Sequence, residues 1–160
     1  MKRLANVHCK LLARSGFATR RFSFALQFLL LFGVLSRWIN IAQELSSNIL
    51  ISKLIYPFHK DHPQYELAQS QMKMGGSMIT INLDLNKPQT FKFCKKLKYF
   101  SLAESLGGVE SLICHPATMT HASVSEHIKA KLGITDSLVR LSIGCEDLDD
   151  LISDILIALE

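Results

Sequence analysis

The chain of 160 residues lacks the short sequence signatures that most often mark a catalytic or nucleotide-binding site. It has no G-x-x-x-x-G-K-[ST] phosphate loop, no G-x-G-x-x-G turn, no G-x-S-x-G elbow and no H-E-x-x-H metal motif. Its two glycine pairs, Gly75-Gly76 and Gly107-Gly108, are therefore predicted to be turns rather than phosphate cradles. Any chemistry in which the chain takes part has to be inferred from other patterns.

Cysteine is scarce, and its spacing argues against both a zinc site and a disulfide framework. None of the four cysteines forms a C-x-x-C pair or matches the spacing of a zinc ribbon or finger. Cys114, His115 and His121 could be imagined as metal ligands, but their spacing fits no established pattern, so no metal is predicted. A domain of this size does not need disulfides, so a reduced, cytoplasmic setting fits the composition best.

Acidic residues are absent from the first 43 positions, which carry seven basic residues. The rest of the chain has 11 basic and 14 acidic residues, and therefore a net charge of −3. A protein that binds nucleic acid is expected to carry its positive patch on the folded body. The mildly acidic body argues against a nucleic-acid partner, despite the overall net charge of +4.

A long hydrophobic run is also missing, because the apolar stretch at positions 22–35 has only 14 residues. A membrane-spanning helix needs about 20 residues, which argues against a membrane protein. Residues 1–37 are basic and then apolar, which is compatible with a transit peptide, a buried amphipathic helix or a segment of a disrupted gene. We therefore expect residues 1–37 to be a leader outside the domain that residues 38–160 form.

From Trp38 onward, helical and strand-like patterns alternate, which predicts an α/β or α+β domain. The predicted strands are residues 50–56, 77–85, 98–104, 109–114 and 137–143. The predicted helices are residues 38–46, 61–74, 88–97, 124–132 and 147–159. Pro88 is expected to open the third helix, and the aspartates in the first turn of the last helix complement its dipole.

Arg140 is the most informative single residue of the sequence. In the predicted strand 137–143, alternation places Arg140 on the face opposite Val139 and Leu141. A guanidinium in mid-strand needs water or an anion, because burying it unpaired is costly. Its planar fork also matches a carboxylate in bidentate fashion. From the residues alone, Arg140 is therefore either half of a structural ion pair or an anchor for an anionic ligand.

Several runs of residues together resemble one enzyme family, that of cystathionine γ-synthase, cystathionine β-lyase, cystathionine γ-lyase and methionine γ-lyase. In chain order, these runs are His62-Pro63-Gln64, Glu66-Leu67-Ala68, Ser101–Leu112, His115–Ser123, Leu132–Thr135, Leu138–Gly144 and Glu146-Asp147. Their order and spacing agree with those of the family. The resemblance covers most of the chain and fades before Trp38.

The resemblance implies a fold and a set of site residues. The family has the fold type I pyridoxal-phosphate architecture, in which a large domain holds the cofactor and a smaller C-terminal domain closes over the substrate. This chain resembles the smaller domain, with a mixed or antiparallel sheet and helices on one side. By the same resemblance, Arg140 binds the α-carboxylate of the substrate, with Ser105 and Thr120 beside it. Glu104 is then expected near the distal end of the substrate.

The implied reaction is cleavage or exchange of a carbon–sulfur bond in a sulfur amino acid of the cystathionine, homocysteine or methionine type, with pyridoxal 5'-phosphate. The family's cofactor lysine lies in an upstream Ser-x-Thr-Lys run, and this sequence has no Thr-Lys pair. We therefore expect no Schiff-base lysine and no cofactor-binding residue in this chain. Two hypotheses follow. The chain is part of an enzyme and works only with a cofactor-binding large domain or in a homo-oligomer, or it is a non-catalytic remnant or interaction module.

Overall fold

Within residues 38–160, five strands form one mixed sheet in the order β1-β2-β5-β4-β3, and alternating burial is clearest in the inner strand β2. The computed structural model describes residues 38–160. The strands are β1 (Ile51–Ile55), β2 (Met78–Leu83), β3 (Ser101–Leu102), β4 (Leu112–Cys114) and β5 (Leu138–Ser142). The edge strand β3 pairs in parallel with β4, whereas all other neighbours in the sheet are antiparallel.

Helices connect the strands and lie close to the predicted positions. They are α1 (residues 38–46), α2 (Tyr65–Gln71), α3 (Lys87–Lys96), α4 (Glu126–Lys131) and α5 (Leu148–Leu159). Within residues 38–160, no helix is long and apolar enough to cross a membrane. The predicted leader, residues 1–37, lies outside the described part of the chain.

One face of the sheet is apolar and carries the core of the domain. Ile81 of β2 and Leu141 of β5 are fully buried there. They share one cluster with Leu45 of α1, Phe93 of α3 and Ile155 of α5. Because all three helices turn apolar residues toward this cluster, they cover the same face of the sheet. The predicted class, an α/β domain with a mixed sheet and helices on one side, is confirmed.

Polar side chains fix the start of the two longest named helices. The Asn86 side chain accepts a hydrogen bond from the Gln89 N–H at 3.0 Å, and the Gln89 side chain accepts one from the Asn86 N–H at 2.9 Å. This capping box starts α3 and leaves Pro88 in its first turn, as predicted. The Asp147 carboxylate accepts from the Asp149 N–H at 3.0 Å and caps α5.

The second helix is shorter than the predicted span of residues 61–74. Asp61 does not cap it, because α2 begins only at Tyr65, and the residue before it makes no side-chain capping bond. Before that point the chain closes tight turns, in which the N–H of Tyr65 donates to the His62 carbonyl at 2.9 Å. Turns of this kind wind more tightly than an α-helix and delay its start.

Strands β3 and β4 are also shorter than predicted, because their backbone groups have other partners. The Asp154 carboxylate accepts from the N–H groups of Lys98 and Tyr99 at 2.8–3.0 Å, so these residues are held outside the sheet. On the other side, the Val109 carbonyl accepts from the Cys145 N–H at 2.9 Å. The sheet therefore includes only residues 101–102 of the predicted strand 98–104 and residues 112–114 of the predicted strand 109–114.

Candidate functional site

Arg140 lies in the middle of β5, on the sheet face opposite the core. Its neighbours across the sheet are Thr80 of β2 and Cys114 of β4. Val139 and Leu141, on either side of it, are fully buried in the core, whereas Arg140 is partly exposed. We call the surface formed by Thr80, Cys114, Arg140 and Ser142 the Arg140 face. The predicted alternation of faces along this strand is therefore present.

No acidic side chain within residues 38–160 forms a salt bridge with Arg140. The ion pairs of this part of the chain lie elsewhere, at Lys87–Asp136, Lys129–Glu126 and His59–Asp61. A partly exposed guanidinium on a mostly uncharged face keeps its planar donors available for an anion. Of the two readings of Arg140, this geometry favours the anchor for an anionic ligand over the structural ion pair.

The Cys114 thiol marks the point at which several predicted site residues meet. The thiol is fully buried, and burial raises its pKa above the ordinary value. A hydrogen bond with Thr120 and the positive charge of Arg140 both lower the pKa, and the negative charge of Glu104 raises it. Thr120, Arg140 and Glu104 are therefore all near enough to the thiol to influence its pKa. These are three of the four site residues that the family resemblance predicts.

The turn that carries Glu104 and Ser105 is fixed to the same face. The Gly107 N–H donates to the Ser142 hydroxyl oxygen at 2.9 Å, two residues beyond Arg140 on β5. Gly107 has a φ of 93°, a left-handed conformation that other residues rarely adopt. Ser105 is exposed in this turn and makes no hydrogen bond with Arg140 within residues 38–160. The structure therefore anchors the turn at the site without joining Ser105 directly to the guanidinium.

A second set of bonds holds the far end of this turn. The Glu146 carboxylate accepts from the Ser111 N–H at 2.9 Å and from the Ser111 hydroxyl at 2.8 Å. The Ser111 oxygen in turn accepts from the Gly144 N–H at 2.9 Å. A Cβ at Gly144 would come within 2.5 Å of the backbone of Glu110 and Ser111, so only glycine fits there. The segments that flank β4 and β5 are thus fastened to each other beside the Arg140 face.

Sequence reasoning did not find Cys114 and Ser142 as members of the site. Cys114 was considered only as a metal ligand, and its position opposite Arg140 depends on strand pairing, which one sequence does not reveal. Ser142 shared the predicted face of Arg140 by alternation, and that signal could have identified it. His115, another of the three residues considered as metal ligands, has its ring nitrogens hydrogen-bonded to Thr118 and to the Asp136 carbonyl.

The lysines of residues 38–160 do not supply a poised amine. All of them are exposed except Lys129 on α4, which retains 6% of its accessible surface. The Lys129 ammonium donates to the Glu126 carboxylate at 3.0 Å. A lysine that acts as a nucleophile is usually desolvated and not neutralised by a carboxylate in this way. The described residues therefore offer groups for binding an anion rather than for covalent catalysis.

Curated proteins of known name share sequence with most of this chain. The chain is 47% identical over 120 residues to a cystathionine gamma-lyase of Dictyostelium discoideum, which covers 75% of this chain and 31% of the relative. It is also 47% identical over 121 residues to a cystathionine beta-lyase of Lactococcus lactis, which covers 76% of this chain and 32% of the relative. The chain thus spans about a third of the length of these curated relatives.

A solved structure shows the same fold. The crystal structure of cystathionine gamma synthase from Xanthomonas oryzae pv. oryzae in complex with cystathionine superposes with a TM-score of 0.74 and 41% identity. The match covers 78% of this chain and 32% of that one. Residues 37–160 match the sequence profile of the family described as Cys/Met metabolism PLP-dependent enzymes, where PLP is pyridoxal phosphate. On these grounds, the chain belongs to the family of pyridoxal-phosphate-dependent enzymes of cysteine and methionine metabolism.

Proposed function

We propose that residues 38–160 are the substrate-binding third of an enzyme that cleaves or exchanges carbon–sulfur bonds in amino acids such as cystathionine. The observation that carries this proposal is the position of Arg140, which pairs across the sheet with Cys114 and forms no salt bridge within residues 38–160. Thr120 and Glu104 are near enough to influence the same thiol. The names of the relatives supply the reaction class, because they are cystathionine lyases and synthases. The boundary of this domain at Trp38, with residues 1–37 outside it, is part of the proposal.

In this proposal, Arg140 binds the α-carboxylate of the amino acid. Its two parallel N–H donors fix both the position and the plane of a carboxylate. Fixing the carboxylate also fixes the Cα–H bond, which lowers the barrier by orientation. Thr120 and Ser105 complete the polar surroundings of the carboxylate, and Glu104 faces the far end of the substrate.

The residues described do not fit a complete site for pyridoxal phosphate. The exposed lysines and the carboxylate-paired Lys129 do not match the desolvated amine that this cofactor requires. When bound, the cofactor supplies the electron sink of the reaction. We propose that its site lies in the two thirds of the relatives that this chain does not match, in a cofactor-binding large domain or a homo-oligomer with one. We also propose a cytoplasmic location.

A non-catalytic remnant or interaction module is the second candidate function. The observation that favours it is the environment of the lysines within residues 38–160, which are either exposed or, at Lys129, bonded to a carboxylate. Both candidates predict the same fold, so only a test of chemistry distinguishes them. If the site has lost its function, the residues around Arg140 no longer need to support turnover.

A chimera tests the proposal. The last third of the Lactococcus lactis cystathionine β-lyase is replaced by residues 38–160 of this chain, which align with it at 47% identity. Turnover of cystathionine by the purified, cofactor-loaded chimera is then measured, and we expect activity above that of the relative truncated at the same point. A folded, cofactor-loaded chimera without activity would favour the remnant.

A further inference from the structure

His115 is a fully buried histidine whose ring makes two hydrogen bonds and one aromatic contact. Its Nδ1 lies 2.7 Å from the Thr118 hydroxyl, and its Nε2 lies 2.8 Å from the carbonyl oxygen of Asp136. The ring of Phe91 on α3 lies against it, with the ring centroids 4.8 Å apart. His115 therefore links the segment after β4 to the segment before β5 and to a helix.

The partner of Nε2 fixes one proton of the ring. A carbonyl oxygen can only accept, so Nε2 carries the proton that is donated to Asp136. The Thr118 hydroxyl can either donate to Nδ1 or accept from it, and it satisfies that nitrogen in both cases. Because both ring nitrogens are satisfied at a fully buried position, loss of either bond leaves a buried polar atom without a partner.

The loop of residues 115–121 folds back on the strand from which it leaves. The His115 carbonyl accepts from the Met119 N–H at 3.1 Å, and the Pro116 carbonyl accepts from the His121 N–H at 2.9 Å. The His115 N–H also donates to the Met119 sulfur at 3.4 Å. These bonds hold Thr120 in a compact loop, in which its hydroxyl lies 2.8 Å from Nδ1 of His121. The position of Thr120 therefore depends on how the loop is held.

We propose that His115 is a positioning residue of the candidate substrate site. Its ring holds loop 115–121 through Thr118, and the loop carries Thr120, the predicted neighbour of Arg140 in the candidate site. His115 itself touches neither the thiol nor the guanidinium, and it acts only through the loop. Its importance for substrate binding rests on the function proposed above, whereas its hold on the loop does not.

The reactivity of the three cysteines in residues 38–160 provides a direct test. Cys114 is fully buried next to the start of the loop, Cys94 is a buried core residue of α3, and Cys145 is exposed. The full chain is treated with iodoacetamide under native conditions, and the rate of alkylation at each cysteine is measured by mass spectrometry. Alkylation of Cys94 then reports opening of the core, and alkylation of Cys145 reports the activity of the reagent.

Thr118→Val removes the hydroxyl that bonds Nδ1 but keeps the size of the side chain. We expect it to raise the alkylation rate of Cys114 by about tenfold, the effect of losing one buried hydrogen bond. The rates of Cys94 and Cys145 should stay unchanged. Thr118→Ser restores the hydroxyl and should restore the rate of the unmodified chain. His115→Gln, which has no atom at the position of Nδ1, should behave like Thr118→Val.

Two results would overturn the proposal. An equal increase in the alkylation rates of Cys114 and Cys94 would show that His115 stabilises the whole domain rather than the loop. An unchanged alkylation rate of Cys114 in both Thr118→Val and His115→Gln would show that the loop is held without His115. The test involves no substrate, so its outcome is separate from that of the chimera. If Cys114 is alkylated faster in these variants and the chimera is inactive, the proposed function is refuted. The proposal that His115 holds the loop then still stands.

Discussion

The two faces of the sheet are built from alternate residues of the same strands, yet they differ in almost every property. The core face carries Ile81, Val139 and Leu141, all fully buried under three helices. The Arg140 face carries a partly exposed guanidinium and a buried thiol, covered by a turn and a loop. The comparison shows that stability and the candidate chemistry are placed on opposite sides of one layer, so each can be changed separately.

The largest expected effect is on the core face. Leu141→Ala should lower the free energy of unfolding by about 2–5 kcal/mol, because it removes buried methyl groups and leaves a cavity. Arg140→Ala, one residue away on the other face, should change it by less than about 1 kcal/mol. Denaturant unfolding of both variants measures the difference. A similar decrease in the free energy of unfolding of both variants would show that the two faces do not contribute separately to stability.

A polar residue within the helix layer gives the next largest effect. Asp154 retains 7% of its accessible surface, and its carboxylate accepts from the N–H groups of Lys98 and Tyr99. Asp154→Ala should cost about 1–3 kcal/mol, because it leaves partly buried donors unsatisfied. The exposed Asp149→Ala is the matched control on the same helix. If the two variants unfold at the same denaturant concentration, the Asp154 bonds do not contribute to stability.

The ionisation of Tyr56 should affect stability only at high pH. It is fully buried, its hydroxyl donates to the Gly76 carbonyl at 3.1 Å, and burial raises its pKa to about 12. The unfolded chain has a tyrosine pKa of about 10, so it loses this proton first. The free energy of unfolding should therefore fall as the pH rises from about 10 through 12.

The control for this pH dependence is Tyr56→Phe, which removes the ionisable group. That variant should lose less stability over the same pH interval, whereas Tyr65→Phe, at a less buried position, should follow the unmodified chain. Unfolding curves recorded at each pH provide the measurement. An equally steep loss with and without the Tyr56 hydroxyl would assign the effect to other groups.

The smallest expected effect comes from removing residues 1–37. If the domain begins at Trp38, deletion of this segment should leave the melting temperature of residues 38–160 nearly unchanged. Thermal unfolding followed by circular dichroism compares the two chains. A large decrease in melting temperature would show that the domain needs the segment and would move its boundary toward the N-terminus.

Much of the fold follows from local patterns that the sequence displays. The alternation in β2 and β5 predicts both their extent and the faces of Arg140 and Leu141, because a buried layer on one side strongly constrains each strand. The capped helices α3 and α5 are predicted for the same reason, since their start signals lie next to the helices themselves. The elements that were predicted too long, near 61–64 and 98–111, are those whose backbone groups bond to distant or turn partners.

The site was predictable only through family resemblance. Nothing local to Thr120 or Glu104 shows that they lie near Arg140, because their proximity depends on the pairing of β4 with β5 and on the return of two loops. The same dependence hid Cys114 opposite Arg140. The buried His115 was visible in the sequence, but its role depends on Asp136, which is 21 residues away.

The most direct test of the central claim, that Arg140 anchors the substrate carboxylate, is the kcat/KM of the chimera for cystathionine. We expect Arg140→Ala to lower it by roughly one to two orders of magnitude, the effect of losing a charge-assisted bond. Lys53→Ala, which removes an exposed cation from β1 at the edge of the same sheet, is the matched control and should leave it unchanged. Equal kcat/KM values for the Arg140→Ala and Lys53→Ala chimeras would contradict the account.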